Sequence, residues 1–429
     1  MSRTVFLVDG SRTPFLRTTG KPGEYRASDL AVHVGRATLL RQPFPPSTLD
    51  EVIFGCAMPG PDEANIARVI ALRLGCEDKV PAFTVQRNCA AGLQAIDSAY
   101  RNIAHGYTDL ILAGGTEAMS HAPVLFRPEM VAWLADWQQA KTLPAKLKAL
   151  SRLQARYFSP VIALLRGLTD PIVGLSMGQT TEKLAYRFGI SREQMDAYAL
   201  RSHQRMIAAM DAGELDDEIT PLSTASGTVI RFDDGVRRDS SLEKLAKLRP
   251  IFDKPTGLVT AGNSSQVTDG AACVLLASEP AVAQYQLPVL AKISPAYWAG
   301  LDPSQMGLGP VHASAKLLNA SGLNLDSIDY WEINEAFAGQ VLACLHAFGD
   351  GNYCKQELGL ESVLGHINAA QVNIDGGGIS LGHPIGASGA RIVLHLAHVL
   401  RRKHAQRGIA SLCIGGGQGG AMLVEGVSP

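Results

Sequence analysis

The chain has 429 residues, 46% of them hydrophobic and 18% charged, with a formal net charge of −1. That size and composition fit a globular protein of two or three domain-sized units with ample material for a core. The near-zero charge excludes a global pull towards nucleic acid or anionic membrane. Seven cysteines, none in a C-x-x-C pair, do not read as a zinc site or a disulfide framework. No stretch reaches the roughly 18 apolar residues of a membrane span, and the opening run MSRTVFLVDG lacks the apolar core and cleavage site of a secretory signal. The expectation is a soluble, cytoplasmic protein with reduced thiols.

Short β-branched runs alternate with longer helical patterns, which predicts an α/β fold. Thr4–Val8 and Glu51–Phe54 read as strands, Ala64–Leu74 and Ala90–His105 as helices, and Leu110–Ala113 as a strand ending in glycines. Residues 124–175 differ in texture, with seven basic side chains against three acidic. Within them Leu143, Leu147, Leu150, Leu153 and Tyr157 recur at helical spacing, and Lys146, Lys148, Arg152 and Arg156 share that stretch. The pattern predicts one basic amphipathic helix over Lys141–Tyr157, either a solvated surface helix or a face for an acidic partner or a membrane. Residues 191–212 predict a further helix capped by Ser191, with Glu193 and Gln194 in its first turn. The two ends of the chain are distantly alike. LDEVIFGCAMPG (49–60) parallels IDYWEINEAFAG (328–339), NCAAGLQAI parallels HPIGASGARIV, and TDLILAGGTEAMS (108–120) parallels ASLCIGGGQGGAM (410–422), in the same order. This predicts one α/β unit duplicated, with insertions of different length.

Four segments carry side chains suited to chemistry. In TVQRNCAAGLQAID, Cys89 falls where a strand runs into a helix, so helix-terminal amides should favour its thiolate. In NIDGGGISLGHPIGASGAR, glycine and proline flank His383 and fix its backbone, which suits a base towards a thiol or an oxyanion donor. Neither this run nor GGGQGG (415–420) has the spacing of a nucleotide-binding loop. In SLCIGGGQGG, Cys413 ends a strand before a glycine loop whose open amides suit an oxyanion hole, and its thiol could exchange protons there. In WEINEAFAGQ, Asn334 and Glu335 sit at a strand end, where an asparagine amide could hold a water.

Together RNCAAG, INEAFA, GGGISLGHPIGASG and CIGGGQG resemble, in order, the four motifs of the thiolase family. GGTEAMS (114–120), SREQMDAYALRSHQ (191–204), EKLAKLRPIF (243–252) and VTAGNSSQVTDGAA (259–272) extend the likeness over the whole chain. The resemblance implies the thiolase fold: two duplicated α/β halves, each with a mixed five-stranded sheet, and a loop domain inserted in the first. It divides the chain into residues 1–123, a loop domain at 124–255, the end of the first half at 256–285, and a second half at 286–429. It implies Cys89 as the nucleophile that carries the acyl group. His383 would activate that thiol and, with a water held by Asn334, form one oxyanion hole. The amides of Cys89 and Gly415 would form the second, and Cys413 would be the acid/base. Coenzyme A, a co-substrate rather than a cofactor, would meet Arg237, Ser265 and Met177; no metal is implied. Ser176 stands where short-chain biosynthetic members often carry histidine.

Longer segments within 124–175 and between Asn334 and His383 look similar to β-subunits of trifunctional fatty-acid oxidation complexes. This favours thiolytic cleavage of 3-ketoacyl-CoA, by a ping-pong route, over acetoacetyl-CoA synthesis. The likeness also implies a homodimer or homotetramer, and leaves room for a hydratase/dehydrogenase partner chain and for peripheral membrane contact through residues 124–175. A non-catalytic CoA-binding scaffold would show erosion at Cys89 or at Gly382–His383–Pro384, and neither is eroded.

Overall fold

The computed structural model describes residues 3–427. The first half runs β1 (Val5–Arg12), α1 (Ala27–Leu40), β2 (Glu51–Gly55), α2 (Ile66–Leu74), β3 (Ala82–Val85), α3 (Ala91–Ala104) and β4 (Leu110–Ala118). An insertion follows, containing α4 (Pro128–Gln139), α5 (Leu143–Ser151), α6 (Met177–Phe188) and α7 (Arg192–Asp211), after which β5 (Thr268–Ser278) returns to the sheet. The second half comprises β6 (Ala291–Ile293), β7 (Tyr297–Gly300), α8 (Gly309–Ser321), β8 (Tyr330–Ile333), α9 (Ala338–Gly349), α10 (Ile385–Lys403), β9 (Arg407–Ile414) and β10 (Gln418–Gly426).

Local caps set where several helices begin and end, and of these the sequence reading named Ser191. Asn65 accepts from the Arg68 amide to start α2, and Gly75 stops it in the left-handed conformation. Ser191 and Gln194 form a capping box at α7, as Ser176 and Gln179 do at α6.

The strands form one mixed sheet in the order β3–β2–β4–β5–β1–β6–β10–β9–β8, with β7 also on β10. In the first half β3, β2 and β4 are parallel, and β5 and β1 continue antiparallel. In the second half β8 and β9 are parallel, and β10 and β6 continue antiparallel. The duplication read from the sequence is therefore a duplication of topology, and the two halves join where β1 pairs with β6. The first half has its five strands. In the second, the fifth place is held by a single bridge from Trp331 to Val372. There the Asn373 side chain does the work of a strand: Oδ1 accepts from the Ile333 amide at 2.9 Å and Nδ2 donates to the Ile333 carbonyl at 2.8 Å.

Helices α3 and α10 are the equivalent central helices of the two halves, and they pack on each other. Glycines permit the close approach: a Cβ at Gly92 would stand 2.8 Å from the Gly386 carbonyl, and one at Gly389 would stand 2.5 Å from the Leu93 nitrogen. Around them lies a core that includes Leu93, Ile96, Ile111, Val274, Ile392 and Leu412, each such burial stabilising by roughly 1.5–3 kcal/mol. Strands β4 and β5 are buried along their entire lengths, so they read as continuous apolar runs rather than alternating ones.

The insertion departs from expectation. The helix predicted over Lys141–Tyr157 is α5 alone, capped by Thr142 and ended at Arg152, with a separate 3-10 turn at Ala155–Phe158. Trp133 on α4 donates to the Ala149 carbonyl at 2.8 Å and binds the two helices together. Leu143, Leu147 and Leu150 all point outward, so the apolar stripe is uncovered in the single chain. No helix among the described residues is long and apolar enough to cross a membrane.

A buried ion cluster pins the insertion to both halves. Arg12 on β1 pairs with Glu218 at 2.6 Å and Asp233 at 2.8 Å, and His395 on α10 meets the other oxygen of Glu218 at 2.8 Å. Arg391 pairs with Glu332 at 2.9 Å, and Asp375 faces His395 at 3.3 Å. Burial alone would discharge His395, but Glu218, Glu332 and Asp375 outweigh it and push its pKa up to about 10. A raised histidine pKa stabilises the fold fully below its unfolded value near 6.5 and loses that contribution as pH rises through 10. The thermal midpoint is therefore expected to fall between pH 7 and pH 10. In His395→Gln most of that slope should vanish, with about 3–5 kcal/mol lost at neutral pH; calorimetry across that range checks both.

Candidate active site

The turns ahead of α3 and α10 and the hairpin between β9 and β10 converge on one cavity of about 660 Å³. Cys89, His383 and Cys413 line it together, and so do Met177, Arg237 and Ser265. Most of the remaining wall is apolar, including Leu165, Leu168, Ile251, Phe252, Met306 and Phe337.

Cys89 lies just before α3 and is the one cysteine of the seven that is partly exposed. The backbone of Gly415 and of Cys89 itself favours the thiolate, rather than the helix-terminal amides of α3 that the sequence pointed to. Burial is the larger effect, however, and with Glu117 nearby it raises the thiol above its ordinary pKa. The resting group is a thiol, so it needs a base.

His383 lines the same cavity. Gly382 precedes it at φ +106°, a conformation suited to glycine, and a Cβ there would stand 2.3 Å from Thr268 Cγ2. Burial, with a smaller contribution from Arg391, holds the imidazole down to about 4, so it is neutral at neutral pH. Ser388 Oγ donates to the Pro384 carbonyl at 3.1 Å and so accepts from His383 Nδ1 at 2.6 Å. That network assigns the proton to Nδ1 and leaves Nε2 as the acceptor. Asn334 Nδ2 approaches Nε2 at 3.4 Å, while Asn334 Oδ1 meets no protein donor among the described residues. Asn334 thus stands at the Nε2 end of His383, although it does not itself line the cavity.

Cys413 is the last residue but one of β9 and is buried. Burial, then the neighbouring Cys89 and Cys344, raise its thiol well above the ordinary range, so it is protonated at neutral pH. Gly415 lies on the hairpin beyond it, beside the Met177 sulfur. Glu335 turns away from the cavity, where Tyr198, Ser202, Asn373 and the Ile379 amide all donate to its carboxylate. Among the described residues no cluster of three or more His, Cys, Asp or Glu side chains is placed to hold a metal.

Residues 5–280 match the thiolase N-terminal domain, and residues 287–426 match the thiolase C-terminal domain. The chain belongs to the thiolase family. It is 40% identical to the β-ketoadipyl-CoA thiolase of Pseudomonas aeruginosa over the full length of both chains. It is 38% identical to the mitochondrial trifunctional enzyme subunit beta of Bos taurus, over 99% of this chain and 88% of that one. The crystal structure of human mitochondrial 3-ketoacyl-CoA thiolase superimposes with a TM-score of 0.84 at 38% identity, covering 99% of each chain. This thiolase is accordingly an acyltransferase of thiolytic acyl-CoA chemistry.

Two residues of this thiolase's site escaped the sequence reading. Ser388 sets the His383 tautomer, and its place five residues after the histidine within one motif was the available signal. Glu117, in GGTEAMS, accepts from the amides of Ala57, Met58 and Gly386 at 2.9–3.0 Å. It therefore ties the end of β2 to the first turn of α10, next to His383. Its burial outweighs those amides and raises the carboxyl to about 7.

Proposed function

We propose that this thiolase cleaves 3-ketoacyl-CoA to acetyl-CoA and an acyl-CoA two carbons shorter, in fatty-acid β-oxidation, through an S-acyl-Cys89 intermediate. The observation that carries the reading is the convergence of two protonated thiols and one neutral imidazole on a single apolar cavity. Cys89 gives its proton to His383 Nε2 as its sulfur attacks the keto carbon. The oxygen that gains charge is met by His383 and an Asn334-held water. The bond between the second and third acyl carbons breaks, and the departing acetyl-CoA enolate takes the Cys413 proton. Free coenzyme A then enters, gives its thiol proton to the Cys413 thiolate and attacks the acyl-cysteine, whose oxyanion is held by the amides of Cys89 and Gly415; the Cys89 thiolate leaves and recovers its proton from His383. Cys89 is regenerated, and the kinetics are ping-pong. Arg237, Ser265 and Met177 would meet coenzyme A along the same cavity, and the active form would be a homodimer or homotetramer.

Acetoacetyl-CoA synthesis uses the same residues in reverse, but the breadth of the apolar wall favours longer acyl groups. Thiolysis of 3-ketoacyl-CoA substrates of four, eight, twelve and sixteen carbons tests the choice. Activity rising with chain length is expected; activity confined to four carbons would move the assignment to the biosynthetic reaction.

A further inference from the structure

Asn88, immediately before the nucleophile, sits at φ +46°, in the left-handed region that asparagine tolerates better than most residues. Its side chain crosses to the other half of the molecule: Nδ2 donates to the Gly415 carbonyl at 2.9 Å. Its Oδ1 accepts from Gln86 Nε2 at 3.2 Å, which orients the amide. Arg87 makes a parallel crossing, with its guanidinium 4.1 Å from the centre of the Trp298 ring and 3.4 Å from Gln418 Oε1. Two consecutive side chains of the first half therefore grip β7 and the β9–β10 hairpin.

The gripped hairpin has little rigidity of its own. Gly415, Gly416 and Gly417 are consecutive, the last two at φ +91° and +74°, and glycine leaves both torsions of each residue free. Yet the acyl-cysteine step needs the Gly415 amide near the Cys89 sulfur, whose thiolate it favours. A hydrogen bond on the Gly415 carbonyl restrains rotation about that residue, and so restrains its amide. We infer that Asn88 is a positioning residue, which clasps Gly415 so that its amide and that of Cys89 converge on the oxyanion of the acyl-cysteine step. This rests on the acyl-cysteine reading above.

The test compares Asn88→Gly, which keeps the left-handed backbone but has no clasp, with Asn88→Asp, which keeps shape and backbone tolerance but sets a carboxylate against the Gly415 carbonyl. Single-turnover acylation of Cys89 by acetyl-CoA, followed by mass spectrometry, is expected to slow about ten- to a hundredfold in both. The KM for coenzyme A in thiolysis should stay within roughly twofold, because the clasp acts on the chemical step rather than on binding. A merely structural asparagine would lower the melting temperature and leave the acylation rate alone. Wild-type acylation rates in either variant, with wild-type enzyme acylated normally, overturn the inference and spare the acyl-cysteine reading. Failure of the wild-type enzyme to acylate Cys89 overturns both.

Discussion

Replacing Cys89 by alanine is expected to lower the turnover number for thiolysis by roughly 10⁵-fold or more, the scale of deleting a covalent nucleophile. The other cysteine of the cavity wall is Cys413, and Cys344 lies outside it. Cys413 and Cys344 are buried thiols whose surroundings hold them protonated, and neither is partly exposed as Cys89 is. The variant should fold normally, since it loses one sulfur at a partly exposed position. Stopped-flow release of coenzyme A from an acyl-CoA donor should then show no burst. A residual burst in Cys89→Ala would mean that another side chain carries the acyl group.

Replacing Cys413 by alanine should produce a different defect. On the proposed route the acyl-transfer half needs Cys89, His383 and the amides of Cys89 and Gly415, all of which remain. Only carbon–carbon cleavage needs a proton for the enolate. Thiolysis of a 3-ketoacyl-CoA should therefore fall about 10²–10⁴-fold, the range for losing a general acid. Acylation of Cys89 by a simple acyl-CoA should persist near the wild-type rate. Steady-state thiolysis and a single-turnover acylation assay on the same preparation separate the two. Full thiolysis activity in Cys413→Ala would remove the thiol from the proton-transfer role.

What the sequence disclosed follows from how local each feature is. The turns ahead of α3 and α10 and the end of β9 are each short contiguous stretches, so Cys89, His383 and Cys413 could be marked from their own motifs. The duplicated order of those motifs foretold the repeated topology of the two halves, though not the packing of α3 on α10. Long-range features were not legible. The cluster of Arg12, Glu218, Asp233, Glu332, Asp375, Arg391 and His395 joins seven positions scattered from β1 to α10, and no spacing rule links them. The Asn373 side chain in place of a fifth strand is a tertiary substitution for backbone pairing. The helical spacing of Leu143 to Tyr157 runs across a break at Arg152 that no glycine or proline marks. The protonation of Cys89 depends on burial, which a helix-start motif does not report.

The most direct test of the account is to mix the enzyme with a twelve-carbon 3-ketoacyl-CoA in the absence of free coenzyme A, quench, digest and weigh the peptide that contains Cys89. The account expects that peptide to gain a ten-carbon acyl group, with one acetyl-CoA released per acylated site. Release of acetyl-CoA with the Cys89 peptide unmodified, or the acyl group on another residue, would contradict it.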